Sequence, residues 1–312
     1  MSHFIRKLIQ EKWEGNRERD AIRLAGQSLP EGVQVVSGLP YHTDGHPMHT
    51  LNLYRPKQTQ HLLPTIIDIH GGGWMYGDRE LNKAYCMYLA SQGYAVLGMS
   101  YRLVPETDLK GQIQDIFQSL HWLSQNASSY GFDLNSVLLT GDSAGGHLAG
   151  LTTCILCNPD LQSLYEVTPP PFSIGTLAIV HGVCDIYHFH FLTPVLDQAV
   201  SNEYCNMLLG TPWKQSPLCG HASFQDTALH VSLPPIFVVS SEPDLYYAQS
   251  KHLIAFLQKH HIPHQHLHWS KKQGEHLTHV FEVGWWDWAE SKETNLQMLR
   301  FFDQNCTKQK EK

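Results

Sequence analysis

Charge is scarce in this chain. Charged residues are 16% of its 312, and 29 acids against 22 lysines and arginines leave a formal net charge of −7. No basic stripe is present, which excludes nucleic acid as a partner, and the mild acidity disfavours an anionic membrane surface. No apolar run is long enough to span a bilayer. The opening residues, MSHFIRKLIQEKWEGNRERD, are charged within the first dozen. They lack the apolar core and small-residue cleavage site of a signal peptide, so a cytoplasmic location is expected. Cysteine is sparse and odd in number: Cys86, Cys154, Cys157, Cys184, Cys205, Cys219 and Cys306. That argues against a disulfide framework and fits a reducing compartment. Cys154 and Cys157 form a C-x-x-C. Both are expected well inside a helix, past the N-terminal turn a redox pair needs, as small apolar core residues.

Apolar material, by contrast, is ample: 42% of the residues are hydrophobic and 11% aromatic. That supports one large core in a single domain over residues 1–312. Phe4, Ile5, Leu8, Ile9 and Trp13 recur at helical spacing, and 17–28 reads as a second helix. Strands are expected at 33–37, 48–54, 65–69, 95–99, 136–140, 176–180, 235–240 and 264–269, eight in all. From residue 65 onward short apolar runs alternate with helices, such as 111–126 with its face of Ile113, Ile116, Phe117, Leu120 and Leu123. This pattern predicts an α/β protein with a mainly parallel sheet covered on both faces. Between Asp185 and His230 the pattern loosens, with one helix-like stretch near 197–209. That is long for a connection and reads as an inserted cap segment.

The chemical signal centres on Gly141-Asp142-Ser143-Ala144-Gly145, a G-x-S-x-G pentapeptide between a buried strand and a helix. In that setting it forms a sharp elbow that lifts the serine hydroxyl above the sheet; alone the pentapeptide proves little. The glycines are required because side chains would collide across the turn. Upstream, His70-Gly71-Gly72-Gly73-Trp74 follows the TIIDI strand. Its backbone N–H groups, with that of Ala144, can converge as an oxyanion hole. A phosphate loop is the competing reading, but neither G-x-G-x-x-G nor Gly-Lys-Ser/Thr is present. A serine nucleophile needs a histidine base and a carboxylate that fixes its tautomer, here in the order Ser, acid, His. Asp244 fits the acid at a strand's C-terminal end, with Asp185 and Glu242 as rivals. On position alone, His276 and His279 both qualify as the base.

Taken together, these motifs resemble the hormone-sensitive-lipase-like branch of the α/β-hydrolases, which includes many bacterial acetyl and carboxyl esterases. The resemblance covers about residues 64 to 302. It rests on HGGGW (70–74) with Gly77-Asp78, on Tyr101-Arg102-Leu103-Val104-Pro105-Glu106 and on Asp115. Gly141–Gly146 (GDSAGG), Asp244-Leu245 and His279-Val280-Phe281 complete the set. It implies an α/β-hydrolase fold with Ser143, Asp244 and His279 as catalytic triad. It also implies an oxyanion hole from the N–H groups of Gly72, Gly73 and Ala144, and a cap built from the N-terminal helices (about 1–30) plus the 185–230 insertion. The chain departs from the family in having Pro243-Asp244-Leu245 where Asp-Pro-Leu is usual, and in the extra His276.

The expectation is therefore a serine hydrolase of short-chain carboxylic esters working through an acyl-enzyme, without cofactor or metal. Its partner is a small ester, and a homo-oligomer is left open. An amidase or formamidase with the same triad is the alternative, and a non-catalytic ligand-binding receptor on this fold the third reading. His264, His266 and His268 share one strand face, read as a solvated or interface face before a metal site. Trp285, Trp286 and Trp288 read as packing at a helix start, with a pocket wall as the alternative.

Overall fold

The protein is described by a computed structural model covering residues 2–59, 61–188, 194–229 and 231–310. Positions 189–193 and 230 of the 185–230 segment therefore lie outside the described residues, as does residue 1 of the N-terminal one.

The chain opens with helix α1 (Ser2–Gly26). Strands β1 (Val33–Pro40), β2 (Thr50–Pro56) and β3 (Leu63–Ile69) follow. Then come α2 (Lys83–Ser91), β4 (Ala95–Met99), α3 (Leu109–Tyr130), β5 (Phe132–Asp142), α4 (Ala144–Leu156) and α5 (Pro159–Tyr165). β6 (Thr176–Val180) leads into α6 (Pro194–Leu209) and the short α7 (Phe224–Thr227). The chain closes with β7 (Ile236–Ser241), α8 (Tyr247–Lys259), β8 (His264–Trp269), α9 (Phe281–Gly284) and α10 (Ala289–Lys310). All eight strands form one sheet in the order β1-β2-β4-β3-β5-β6-β7-β8. β2 runs antiparallel to both its neighbours and every other pairing is parallel.

Alternation along the strands divides the core into two layers. Ile67, Leu97, Leu139, Leu177 and Val238 pack with Ile113, Ile116 and Leu120 of α3 and Leu148 and Leu151 of α4. Their strand neighbours Ile66, Val96, Leu138, Ala178 and Phe237 pack on the other face with Tyr85 and Leu89 of α2 and Met298, Leu299 and Phe302 of α10. Both faces are covered, so the central strands are apolar throughout. Helix α3 shows how local chemistry sets the limits. The Asp108 carboxylate accepts from the N–H of Gly111 at its start, and Gly131 in the left-handed conformation (φ 75°) ends it.

Three expectations need correction. Residues 2–26 form one helix, where a break near residue 15 was expected. A mid-helix glycine costs only about 1 kcal/mol. Buried Ile5, Ile9 and Trp13, with the contacts of Arg6 and Trp13 to α6 and of Arg23 to the Gly284 carbonyl, outweigh that cost. The second strand begins at Thr50, because the His46–His49 turn occupies its expected start. Cys157 is exposed at the end of α4, unlike the fully buried Cys154, because the helix stops one residue before it.

Candidate active site

The sheet places its functional side chains on turns at strand ends. Ser143 follows β5 with φ 54° and ψ −117°, a conformation a serine holds only under constraint. The constraint is visible: the Ser143 N–H donates to Val180 O (2.9 Å), while its carbonyl accepts from His147 N (3.2 Å) and Val183 N (3.1 Å). The flanking glycines are sterically obligatory. A Cβ at Gly145 would run into the carbonyl of Ile69, and one at Gly141 into that of Gly145.

The glycine loop after β3 is held from several sides. The Gly71 N–H donates to Asp142 Oδ1 (3.0 Å), and Asn82 bridges Asp142 and Asp68 (2.7 and 3.0 Å). Tyr101 stacks on His70 and donates to its carbonyl (2.8 Å). The Trp74 carbonyl accepts from Val104 N (2.9 Å) and Gln112 Nε2 (3.0 Å). Arg102 in turn grips Asp115 with two nitrogens (2.9 and 2.6 Å). The 101–106 stretch thus braces the 70–74 loop. Gly72 and Gly73 take φ 105° and 57°. Among the described residues none accepts from their N–H groups, and Ala144 carries one of the unpaired N–H groups at the start of α4.

Asp244 lies just beyond β7, and His279 on the loop before α9. The structure brings them into line with Ser143. His279 Nε2 is 2.8 Å from Ser143 Oγ, and its Nδ1 is 2.9 Å from Asp244 Oδ1 in a bent approach. Val280, with φ 52°, turns the chain sharply after His279, and buried Phe281 pins α9 into the core. Burial alone would raise the Asp244 carboxyl, but His279 and His181 hold it well below the usual carboxylate range.

The rivals stand elsewhere. Asp185 binds Tyr187 N and His188 (both 2.8 Å), and Glu242 accepts from Lys271 N (2.7 Å) at the surface. His276 is exposed, its ring edge on Trp288 (4.9 Å). On β8, His266 and His268 both bond Ser240 Oγ (2.8 and 3.0 Å), and His264 bonds its own loop. Among the described residues the three do not gather as ligands. Trp286 stacks on Tyr88 as packing, whereas Trp285, stacked on Trp288, also borders the site.

Ser143 and His279 open into a cavity of about 450 Å³. Helix α1 forms one wall through Lys12, Trp13 and Asn16, and Tyr246, Val283 and Trp285 form another. Trp13 rests directly on the Cα of Gly73, where a Cβ would strike its ring. Its indole N–H donates to Tyr204 of α6 (2.7 Å), and Arg6 pairs with Glu203 of α6 (2.6 Å).

Two residues of the site carried no signal in the sequence. His181, after β6, is fully buried with Nδ1 2.7 Å from Asp244 Oδ2 and Nε2 3.3 Å from Glu282 Oε2. One histidine among 21 at a strand end cannot be singled out without its neighbours.

A family model described as BD-FAE matches residues 51–257. The crystal structure of esterase B from Lactobacillus rhamnosis is 42% identical, with a TM-score of 0.94 over 99% of this chain and 98% of its own. The same esterase inhibited by a C4-C4 SN3 tributyrin phosphonate superposes with a TM-score of 0.93, at 42% identity over 99% of this chain and 97% of its own. The ethyl acetate hydrolase of Pseudomonas putida is 30% identical over 54% of this chain and 51% of its own length. A probable isoprenylcysteine alpha-carbonyl methylesterase of Arabidopsis thaliana is 30% identical over 34% of this chain and 25% of its own. The chain thus spans between a quarter and about half of these curated relatives.

Proposed function

The chain belongs to the BD-FAE family of α/β-hydrolases, and from that premise we propose that it is a serine esterase of small, short-chain carboxylic esters. The observation that carries the reading is the line Ser143 Oγ–His279 Nε2 (2.8 Å) and His279 Nδ1–Asp244 Oδ1 (2.9 Å), opening on the cavity.

In acylation, Ser143 Oγ attacks the ester carbonyl carbon while His279 Nε2 takes its proton. Asp244 holds the Nδ1–H tautomer and offsets the imidazolium charge. The carbonyl oxygen becomes an oxyanion received by the N–H groups of Gly72, Gly73 and Ala144. The intermediate then collapses: the carbon–oxygen bond to the alcohol breaks, and His279 returns the proton to the departing oxygen. Water, deprotonated by His279, cleaves the acyl-enzyme by the same route and releases the acid.

Helix α1 and the segment around α6, joined through Trp13–Tyr204 and Arg6–Glu203, act as the cap over this site. Family analogy favours acyl chains of roughly two to six carbons, and a cavity of about 450 Å³ has room for them. Inhibition of the structurally similar esterase B by a tributyrin phosphonate supports the same class. The seven free cysteines support a reducing, cytoplasmic setting. The test is a panel of p-nitrophenyl esters of increasing acyl length beside an anilide, with an organophosphate to mark the nucleophile. Best turnover is expected on short acyl esters, with one label on Ser143. Faster anilide cleavage would favour an amidase, and labelling elsewhere would refute the assignment.

A further inference from the structure

Behind Asp244 lies a second carboxylate–imidazole arrangement. Its members are deeply buried: Glu282 and His181 expose none of their surface and Asp244 only 4%. Three ionisable side chains in a dry interior are costly unless each is compensated by its neighbours. Asp244 Oδ1 accepts from Tyr246 N (2.8 Å) and lies 2.9 Å from His279 Nδ1, and Oδ2 accepts from His181 Nδ1 (2.7 Å). The far nitrogen of His181 faces Glu282 Oε2 at 3.3 Å, and neither Glu282 oxygen has a well-aligned hydrogen bond among the described residues. His181 itself sits at φ 48°, a backbone strain retained only where the surroundings impose it.

We propose that His181 and Glu282 are positioning residues for the reaction, holding the Asp244 carboxylate against His279 by its second oxygen. The inference rests on the esterase reading of Ser143, Asp244 and His279. The imidazole has a carboxylate oxygen within 3.3 Å of each nitrogen, and two flanking carboxylates favour its protonated form. Burial would push His181 down, but Glu282 and then Asp244 hold it up, at about 10. The cation does two things for Asp244. It fixes the carboxylate's rotation, so that Oδ1 stays on His279. It also cancels part of the carboxylate's pull on the proton that His279 takes from Ser143 and must later give up. The other ionisable groups around this array are Tyr246, 4.6 Å from the His279 ring, Asp142 at the end of β5, and Tyr85 of α2 beside Glu282.

The experiment measures kcat, KM and the pH profile on p-nitrophenyl acetate for the full-length wild type, H181N, H181L, E282Q and H279A. Asparagine places an amide N–H near where imidazole Nδ1–H stands. H181N is therefore expected within about tenfold of wild-type kcat. H181L should lose about 10²-fold, as misplaced catalytic groups do, with KM within about twofold. A purely packing role predicts the opposite order, because leucine fills an apolar site better than asparagine. In H181L, His279 faces an Asp244 charge no longer offset, so the acid limb of kcat/KM should move up by about half a pH unit or more. H181L with more than half of wild-type kcat and an unmoved limb overturns the proposal, as does leucine outperforming asparagine. Should H181L fail to fold, judged by near-ultraviolet circular dichroism, E282Q carries the test. Loss of the Glu282 charge beside an imidazolium still paired with Asp244 should move the limb down, and an unmoved limb overturns the proposal. An inactive H279A beside a normal H181L would leave the esterase reading standing and remove only the second pair. An active H279A would remove the reading itself.

Discussion

Around Ser143 nearly every atom is fixed by backbone contact, whereas α1, across the same cavity, is held by a handful of side chains. The elbow has Gly141, Gly145 and Gly146 pressed against carbonyls of neighbouring turns, and its serine is locked by three backbone hydrogen bonds. Helix α1 instead buries Ile5, Ile9 and Trp13 and leaves Phe4, Leu8 and Ile22 exposed. Its polar ties include Arg6–Glu203, Trp13–Tyr204, Tyr76–Asp20 and Arg23 on the Gly284 carbonyl (3.1 Å), with Gln27 just past its end on the same carbonyl (3.1 Å). The contrast teaches a division of labour. Chemistry needs placement finer than about 1 Å, which close backbone packing supplies. On the proposed reading, the α1 wall bears on which substrates enter more than on where the serine stands.

The largest effect is expected at the serine. Ser143→Ala should lower kcat by about 10⁶-fold while the melting temperature stays within a few degrees. Ester assays and thermal melts on the same sample check this, and a loss below a hundredfold would contradict it. On the same side of the cavity, Gly145→Ala inserts a methyl into the Ile69 carbonyl, so the elbow must shift. A kcat loss of about 10²-fold or more is expected, with reduced organophosphate labelling of Ser143.

Trp13→Ala tests the opposite wall. Loss of its seat on Gly73 and its bond to Tyr204 should raise KM about tenfold, equivalent to about 1.4 kcal/mol. It should also flatten the acyl-length preference in a p-nitrophenyl ester series while leaving Ser143 labelling complete. A collapse of kcat to the level of Gly145→Ala would mean that α1 belongs to the rigid side after all.

The rigid side also carries buried groups whose protonation depends on folding. Asp68 is raised to about 8, chiefly by burial and by the Asp142 charge, and His181 is raised to about 10. Both groups bind protons more tightly folded than unfolded. Their contribution to stability is therefore full at low pH: that of Asp68 is lost as pH rises from about 4 to 8, and that of His181 from about 6.5 to 10. Thermal melts should show the melting temperature falling by several degrees across pH 6.5 to 10, less steeply in Asp68→Asn. A flat profile would place the compensating charges elsewhere. The smallest effect is expected at His276→Ala, under about threefold in kcat, because the ring is exposed against Trp288 and touches neither Ser143 nor Asp244. A large loss there would show that the loop carries two bases.

How far the sequence reached depended on the range of the interaction involved. The eight strands, the parallel sheet and the turn at Ser143 were legible because periodicity and glycine spacing are local properties of the chain. Choosing His279 over His276 needed the family resemblance. The geometric reason, the αL turn at Val280 and the burial of Phe281, becomes visible only in three dimensions. Helix α1 reads as two helices in the sequence because Gly15 breaks the pattern locally, while the contacts that override it come from α6 and from Gly284, some 190 and 260 residues away. His181 and Glu282 lay beyond sequence reading altogether. Residues 181, 244, 279 and 282 come from three separate stretches, after β6, after β7 and around the start of α9, and a buried charge array acquires meaning only when its members share one low-dielectric space. The elements and the chemistry at their ends follow from local chain chemistry, because backbone propensity and steric demand act between near neighbours. Which carboxylate meets which imidazole, and which helix closes the cavity, was decided by tertiary structure, because those interactions exist only once the sheet has brought distant turns together.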